Sequence, residues 1–315
     1  MIFVRTMNLS HMRCGATRGE SKKRVSPMPL PRLSFEFFPP KDIGGAFRLS
    51  DTVRELAPLD PSFVSVTYGA GGATRALTHD AVATIGKRYG LNVAAHLTCV
   101  DASRQETLAI AASYAEAGVT EIVALRGDPP KGQGAFTAHP EGFKDTVELI
   151  EALADMGAFT IRVGAYPDPH PEASRPGADV DWLKRKIDAG ATSAITQFFF
   201  EAETYFRFRD SCEKAGIEAP IIPGILPIES WSGVKAFAGR CGARVPAWLD
   251  NAFDKAVRDG REDLLSVSLA TELCADLIDG GVEDLHFYTL NKPGLTQDVA
   301  RALGVVPKVV LKQVA

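Results

Sequence analysis

The sequence predicts a single α/β domain, a (β/α)8 TIM barrel, preceded by a basic arm. Three observations predict it. Short apolar runs rich in β-formers alternate with longer helical segments. No linker interrupts the alternation. Polar residues gather on one face of each strand and near its C-terminal end, where barrels of this kind carry their chemistry. A length of 315 residues suits one such barrel, and 45% hydrophobic residues is enough for a full core.

The elements follow in order. Residues 1–31 hold Arg5, Arg13, Arg18, Lys22, Lys23 and Arg24 against one acid, Glu20. No apolar stretch follows these charges, so the segment reads as a flexible arm and not as a secretory signal. The catalytic barrel is expected over residues 32–315. Eight strands are expected, over 33–38, 63–68, 93–100, 121–126, 160–166, 193–199, 221–226 and 284–290.

Side chains alternate faces along a strand. In the first strand Ser34, Glu36 and Phe38 therefore lie opposite Phe35 and Phe37. In the second, Ser65 and Thr67 oppose Val64 and Val66. In the third, His96 and Thr98 oppose Leu97 and Cys99. A helix over 102–117 then stops at Gly118, a usual stop residue. Arg126 and Asp128 fall together at the end of the fourth strand, and Tyr166 closes the fifth. A helix over 180–189 stops at Gly190. Gln197 sits late in the sixth strand, before a helix over 201–215 that stops at Gly216. The stretch from 246 to 280 is longer than one repeat and reads as two helices. Tyr288 sits late in the eighth strand. Polar residues inside so many strands point to one shared site.

The composition narrows the partners. The net charge is -4, with 23% charged residues and no large basic field, so nucleic acid is not an expected partner. No apolar run reaches the roughly 20 residues of a spanning helix, so no membrane is expected. The five cysteines, Cys14, Cys99, Cys212, Cys241 and Cys274, are scattered and form no C-x-x-C pair. Neither a disulfide framework nor a metal site is expected, and a reducing cytoplasm fits best. A homo-oligomer remains open.

Four segments carry candidate chemistry. Glu36 lies inside the apolar run SFEFFPP. A lone buried carboxylate is costly unless paired or protonated, and desolvation suits it to act as an acid near neutral pH; the alternative is a structural ion pair. In LRGDPP at 125–130, Gly127 allows a flat ligand close to the backbone, with Arg126 and Asp128 beside it; the alternative is an Arg–Asp pair that pins the loop. Gly69-Ala70-Gly71-Gly72 offers backbone N–H groups to a phosphate or ring. Lys184-Arg185-Lys186, beyond Asp179, offers charge to a pyrophosphate; the alternative is a solvated helix face. No G-x-G-x-x-G follows a strand, so a Rossmann dinucleotide site is not supported.

Nine segments in order resemble the methylenetetrahydrofolate reductase family, in its compact bacterial form. They are SFEFFPPK at 34–41, FVSVTYGAGG at 63–72, AAHLTCVDA at 94–102, IVALRGDPP at 122–130, AYPDPHPEA at 165–173, LKRKIDAGA at 183–191, AITQFFFEAETYFRFRD at 194–210, IIPGILPI at 221–228 and HFYTLNKP at 286–293.

The resemblance implies FAD as cofactor, NADH or NADPH as hydride donor, and a folate as small-molecule substrate. It implies reduction of 5,10-methylenetetrahydrofolate to 5-methyltetrahydrofolate. Glu36 matches the general acid and Asp128 the carboxylate beside flavin and pterin. Thr67, His96, Arg126, Gly127, Phe143, Tyr166, His170, Ala173, Asp179, Arg185 and Lys186 match cofactor-contact positions. Gln197, Phe237, Tyr288, Leu290 and Lys292 match the substrate wall.

Some positions depart from the family pattern. Lys292 stands where Arg is common and lacks its bidentate fork. Gly233 replaces a Gln, Phe143 a Tyr, and Trp182 a small polar residue beside the adenine half of FAD. The alternative that these departures leave is a flavin-independent folate-dependent methyltransferase or demethylase on the same barrel.

Overall fold

The computed structural model describes residues 30–68, 75–128 and 136–308. The glycine-rich segment 69–72, Pro129 and Pro130, and the arm up to residue 29 lie outside them. Among the described residues are nine strands: β1 Arg32–Phe37, β2 Phe63–Val66, β3 Val93–Thr98, β4 Glu121–Leu125, β5 Thr160–Ala165, β6 Ser193–Thr196, β7 Ile221–Ile222, β8 Gly224–Ile225 and β9 Asp284–Tyr288. The helices are α1 Ile43–Leu56, α2 Arg75–Tyr89, α3 Arg104–Glu116, α4 Thr146–Met156, α5 Ala178–Asp188, α6 Ala202–Lys214, α7 Trp231–Cys241, α8 Ala247–Arg258, α9 Glu262–Asp279 and α10 Gly294–Ala302.

All pairings are parallel, and the order is β7-β6-β5-β4-β3-β2-β1-β9-β8. The two ends of this order are neighbours in sequence. The run expected as one seventh strand is split at Pro223, which has no N–H to give a ladder. Ile221 and Ile222 pair with β6, while Gly224 and Ile225 pair with β9. The Pro223 carbonyl accepts from the His286 N–H at 3.0 Å. Nine strand segments therefore build eight staves of a nearly closed TIM-type barrel. The expected pair of helices over 246–280 is present as α8 and α9.

Alternation sorts each strand. The outward residues Phe35, Phe37, Val64 and Val66 join Leu49, Val53 and Leu56 of α1 and Cys274 and Leu277 of α9 in one buried cluster. Leu97 and Cys99 join α3, α4 and α6 residues in a second. Inside the barrel, Phe63, Ala94, Val123, Ile195 and Ile222 form an apolar layer. Below it lies a polar plug. Arg162 Nε donates to Glu121 at 2.7 Å, its Nη1 donates to Ser193 Oγ at 2.9 Å, and its guanidinium lies 3.9 Å from the Phe63 ring centroid. Part of the inward polar set thus fills the barrel floor, and the rest meets at the other end.

Several strands end earlier than expected. β2 stops at Val66 and β6 at Thr196. Single bonds then hold the next residue at the mouth: Thr67 N–H to Phe37 O at 2.9 Å, and Gln197 N–H to Ala165 O at 2.8 Å. α3 starts at a capping box in which Ser103 and Glu106 satisfy each other's backbone N–H. No helix among the described residues is long and apolar enough to cross a membrane. The four described cysteines are free thiols.

Candidate active site

A cavity of about 620 Å³ opens at the C-terminal ends of the strands. Glu36 and Asp128 both line it. Glu36 is the inward residue of β1 at the cavity base, with its side chain 16% exposed. Its Oε2 lies 3.4 Å from His96 Nε2 and 4.0 Å from His286 Nε2. Burial lowers the pKa of His96, an effect that Glu36 opposes, so the imidazole is held neutral at pH 7. The Thr289 hydroxyl donates to the Glu36 carbonyl at 2.6 Å. Asn291 brackets Phe38, accepting from its N–H and donating to its carbonyl, both at 2.9 Å. The turn after β9 thereby fixes the end of β1. Leu290 and Asn291 hold positive φ values of 50° and 55° there, and Leu290 reaches the cavity wall.

A second wall comes from β4 and β5. After Leu125 the chain turns through Arg126, Gly127 and Asp128. Gly127 has φ +84°, and a Cβ there would lie 2.6 Å from Val100 Cγ1 and 2.9 Å from Thr98 Cβ, so only glycine fits. Arg126 pairs with Glu172 and lies 5.0 Å from the Phe136 ring centroid. The ion-pair partner of Arg126 is therefore Glu172, from the loop after β5, and not Asp128. Tyr166 meets His170 edge-on at 4.7 Å. Burial, then Asp128, pushes its hydroxyl up to about 12.

The third wall is α5, which turns Ala178, Asp179, Trp182 and Lys186 toward the cavity. This is the spacing of one helical face. Lys186 is buried and donates to the Gly164 carbonyl at 2.8 Å. Burial lowers its pKa to about 8, against the pull of Asp179. The fourth wall holds Gln197, Phe237, Cys241 and Tyr288. Phe237 stacks on Phe198 at 5.3 Å and 27°. Tyr288 donates to the Thr196 carbonyl at 2.6 Å. Gly224 makes room for that ring, since a Cβ would lie 2.5 Å from it and 2.2 Å from Thr196 O.

The cavity brings together Glu36, Asp128, Thr67, His96, Arg126, Gly127, Tyr166, His170, Ala173, Asp179, Lys186, Gln197, Phe237, Tyr288 and Leu290. Three expected residues do not line it. Phe143 is 1% exposed, lies 4.7 Å from the Arg104 guanidinium and packs into the α3–α4 core. Arg185 turns outward, 4.3 Å from the Trp182 ring centroid and 4.0 Å from Asp145. Lys292 sits 3.4 Å from Glu229 at the rim. The cluster 184–186 thus divides. Lys184 pairs with Asp188, and only Lys186 reaches the cavity.

Sequence reasoning missed Glu172 and His286. Glu172 had no local signal, because its partner Arg126 is far along the chain. His286 had one. It sits two residues before Tyr288 on the inward face of β9, so alternation alone places it inside.

Fold and cavity together define an α/β-barrel enzyme with a ligand site at the C-terminal ends of its strands. The family model described as methylenetetrahydrofolate reductase matches residues 28–304, and the chain belongs to that family of oxidoreductases. It is 44% identical over 278 residues to the 5,10-methylenetetrahydrofolate reductase of Pectobacterium carotovorum subsp. carotovorum, covering 88% of this chain and 91% of that protein. It is 45% identical over 277 residues to the enzyme of the same description from Escherichia coli strain K12, covering 87% and 91%. Among solved structures, a protein from Clostridium thermocellum that binds two copies of 5-methyl-5,6,7,8-tetrahydrofolic acid has a TM-score of 0.58 at 14% identity. The match covers 88% of this chain and 95% of that one, and it speaks to the fold alone.

Proposed function

We propose that this chain reduces 5,10-methylenetetrahydrofolate to 5-methyltetrahydrofolate, using NADH or NADPH as hydride donor and FAD as cofactor. The observation that carries this reading is the meeting of Glu36 and Asp128 in one cavity, with the family and the names of the bacterial relatives beside it.

The wall has the chemistry a flavin dinucleotide requires. Arg126 and Lys186 offer positive charge to the pyrophosphate, Lys186 from the last turn of α5. Tyr166 and Trp182 offer faces to flat rings. Gly127 lets the backbone approach a ring without a Cβ between. Thr98 Oγ1 is buried without a partner at the same wall. Thr67, His170, Ala173 and Asp179 complete the contact surface. When bound, the flavin supplies hydride transfer between nicotinamide and the one-carbon unit.

Gln197, Phe237, Tyr288 and Leu290 form the wall against which nicotinamide and folate would lie in turn, giving double-displacement kinetics. Glu36 donates a proton to the folate nitrogen, which opens the methylene bridge to an iminium. Asp128 would offer a negative charge to that cation and to the bound flavin. The Thr289 bond to the Glu36 main-chain carbonyl holds the end of β1 at the cavity base.

The test is the visible spectrum of the purified protein before and after NADH. A yellow protein that bleaches with NADH and regains colour with methylenetetrahydrofolate is the expected result. A colourless protein that FAD does not restore overturns the reading in favour of a flavin-independent folate enzyme.

A further inference from the structure

His286 is completely buried, and the proposed chemistry has so far given it no role. Its ring is held on three sides. It stacks on Phe63 at 5.5 Å and 13°, meets Tyr288 edge-on at 5.4 Å and 87°, and places Nδ1 2.8 Å from the Ser34 hydroxyl. Ser34 and His286 are register partners across β1 and β9, as are Glu36 and Tyr288 one inward layer above. The fourth side of the ring faces Glu36, with Nε2 4.0 Å from Oε2. That Nε2 is buried and has no hydrogen-bond partner, and the same holds for His96 Nε2, 3.4 Å from the same oxygen. A buried polar atom left unpaired in a native core calls for an explanation. Two of them aimed at one carboxylate oxygen share one.

The Ser34 hydroxyl lies 2.8 Å from His286 Nδ1, a contact in which either atom can donate, and 3.3 Å from the Leu285 carbonyl, to which it can donate. On the other side of the ring, an ionised Glu36 can only accept. That acceptor favours the ring with its hydrogen on Nε2, and Nδ1 then accepts from Ser34.

We infer that His286, held by Ser34, is a positioning residue for the acid at Glu36: its Nε2–H addresses Oε2 and leaves the transferable proton on Oε1, on the cavity side. The inference rests on the reading of Glu36 as proton donor. In the acid form Oε2 is the carbonyl-like oxygen and faces His286 Nε2 at 4.0 Å without a hydrogen bond. When the Oε1 proton passes to the folate nitrogen, the bond between that nitrogen and the methylene carbon breaks. Its electron pair goes to the nitrogen, and Glu36 becomes a carboxylate whose Oε2 already faces a donor. A hydrogen bond to an ionised group is stronger than one to a neutral group, so the contact favours the form present after proton transfer.

The experiment compares His286→Leu, His286→Gln and Ser34→Ala in the flavin-loaded protein by separating its two half-reactions. Gln keeps a donor near the position of Nε2; Leu does not. Leu is expected to slow reoxidation of the reduced flavin by methylenetetrahydrofolate on the order of 10- to 100-fold, the worth of a charge-assisted hydrogen bond. Flavin reduction by NADH should change much less, Gln should recover most of the loss, and Ser34→Ala should lose less than Leu in the same direction. The inference is overturned if Leu reoxidises at the native rate, if Gln is no better than Leu, or if both half-reactions fall together. Should Leu not fold, Ser34→Ala carries the comparison. Nitrogen-15 spectra of the histidine rings in the native protein give a second readout that needs no turnover. A protonated Nδ1 on His286 overturns the inference even in an active enzyme. A native chain that does not reduce methylenetetrahydrofolate at all sinks the proposed function instead, and is read before any variant.

Discussion

At the scale of single residues, the cavity gives groups of like charge different surroundings. Glu36 lies among two histidines and Tyr288, while Asp128 lies on the opposite wall beside Gly127 and Tyr166. Glu36→Gln keeps the shape and removes the proton. It should lower folate turnover by about 100- to 10,000-fold, the span of general acid catalysis, and leave bleaching by NADH intact. Stopped-flow absorbance of the two half-reactions checks both arms. Equal damage to both would assign Glu36 to structure.

Lys186 gives a pH prediction whose sign is fixed by its charge. Its pKa is lowered from the usual lysine value of 10.5 to about 8 by burial. Below pH 8 the cavity wall carries an ammonium, and above it a neutral amine. Affinity for a pyrophosphate-bearing ligand should therefore fall as pH rises through about 8. Lys186→Met should bind more weakly at pH 7 and show a flatter profile. Fluorescence titration with FAD at several pH values measures this, and a native profile as flat as that of the variant would refute it.

At the scale of elements, the site depends on where strands stop. β8 begins at Gly224, immediately after the split at Pro223, and Tyr288 fills the space where a side chain would be. Gly224→Ala should destabilise the fold by at least about 1–3 kcal/mol, the cost of overpacking a filled interior, seen as a lower urea midpoint. The Thr289–Asn291 turn and the end of β1 form one mechanical unit, because four hydrogen bonds join them around Glu36 and Phe38. Ser103 acts only on its own helix. Ser103→Ala removes half of the α3 capping box and should cost about 1 kcal/mol without changing either half-reaction. A change in turnover there would mean that α3 reports to the cavity.

At the scale of the whole molecule, the barrel interior has a polar floor, an apolar middle and a polar mouth. The floor is the Glu121–Arg162–Ser193 group, joined by Asn92. Breaking one side of a buried pair strands a charge, so Arg162→Leu should cost about 3–5 kcal/mol. That is a large share of the roughly 5–15 kcal/mol that holds a domain folded. The double variant Glu121→Leu with Arg162→Leu should recover part of the loss, because no lone charge remains. Denaturant melts of the single and double variants decide this, and a double variant worse than the single would show that the pair stabilises by more than mutual neutralisation.

Residue order along the chain was enough to specify the barrel, most of its strands and the two carboxylates of its cavity. Alternation and helical spacing are local rules, and each strand of a barrel obeys them without reference to the others. Local order also placed His96, Gln197 and Tyr288 near the mouth. It did not separate Arg185 from Lys186, put Phe143 in the core, or foresee that Pro223 splits a stave. Nor did it pair Arg126 with Glu172, or aim His286 at Glu36. Those outcomes depend on which atoms of distant segments come within a few ångströms of each other. That distance is set by the closure of the ring and the packing of the helices around it, and no window along the chain contains it.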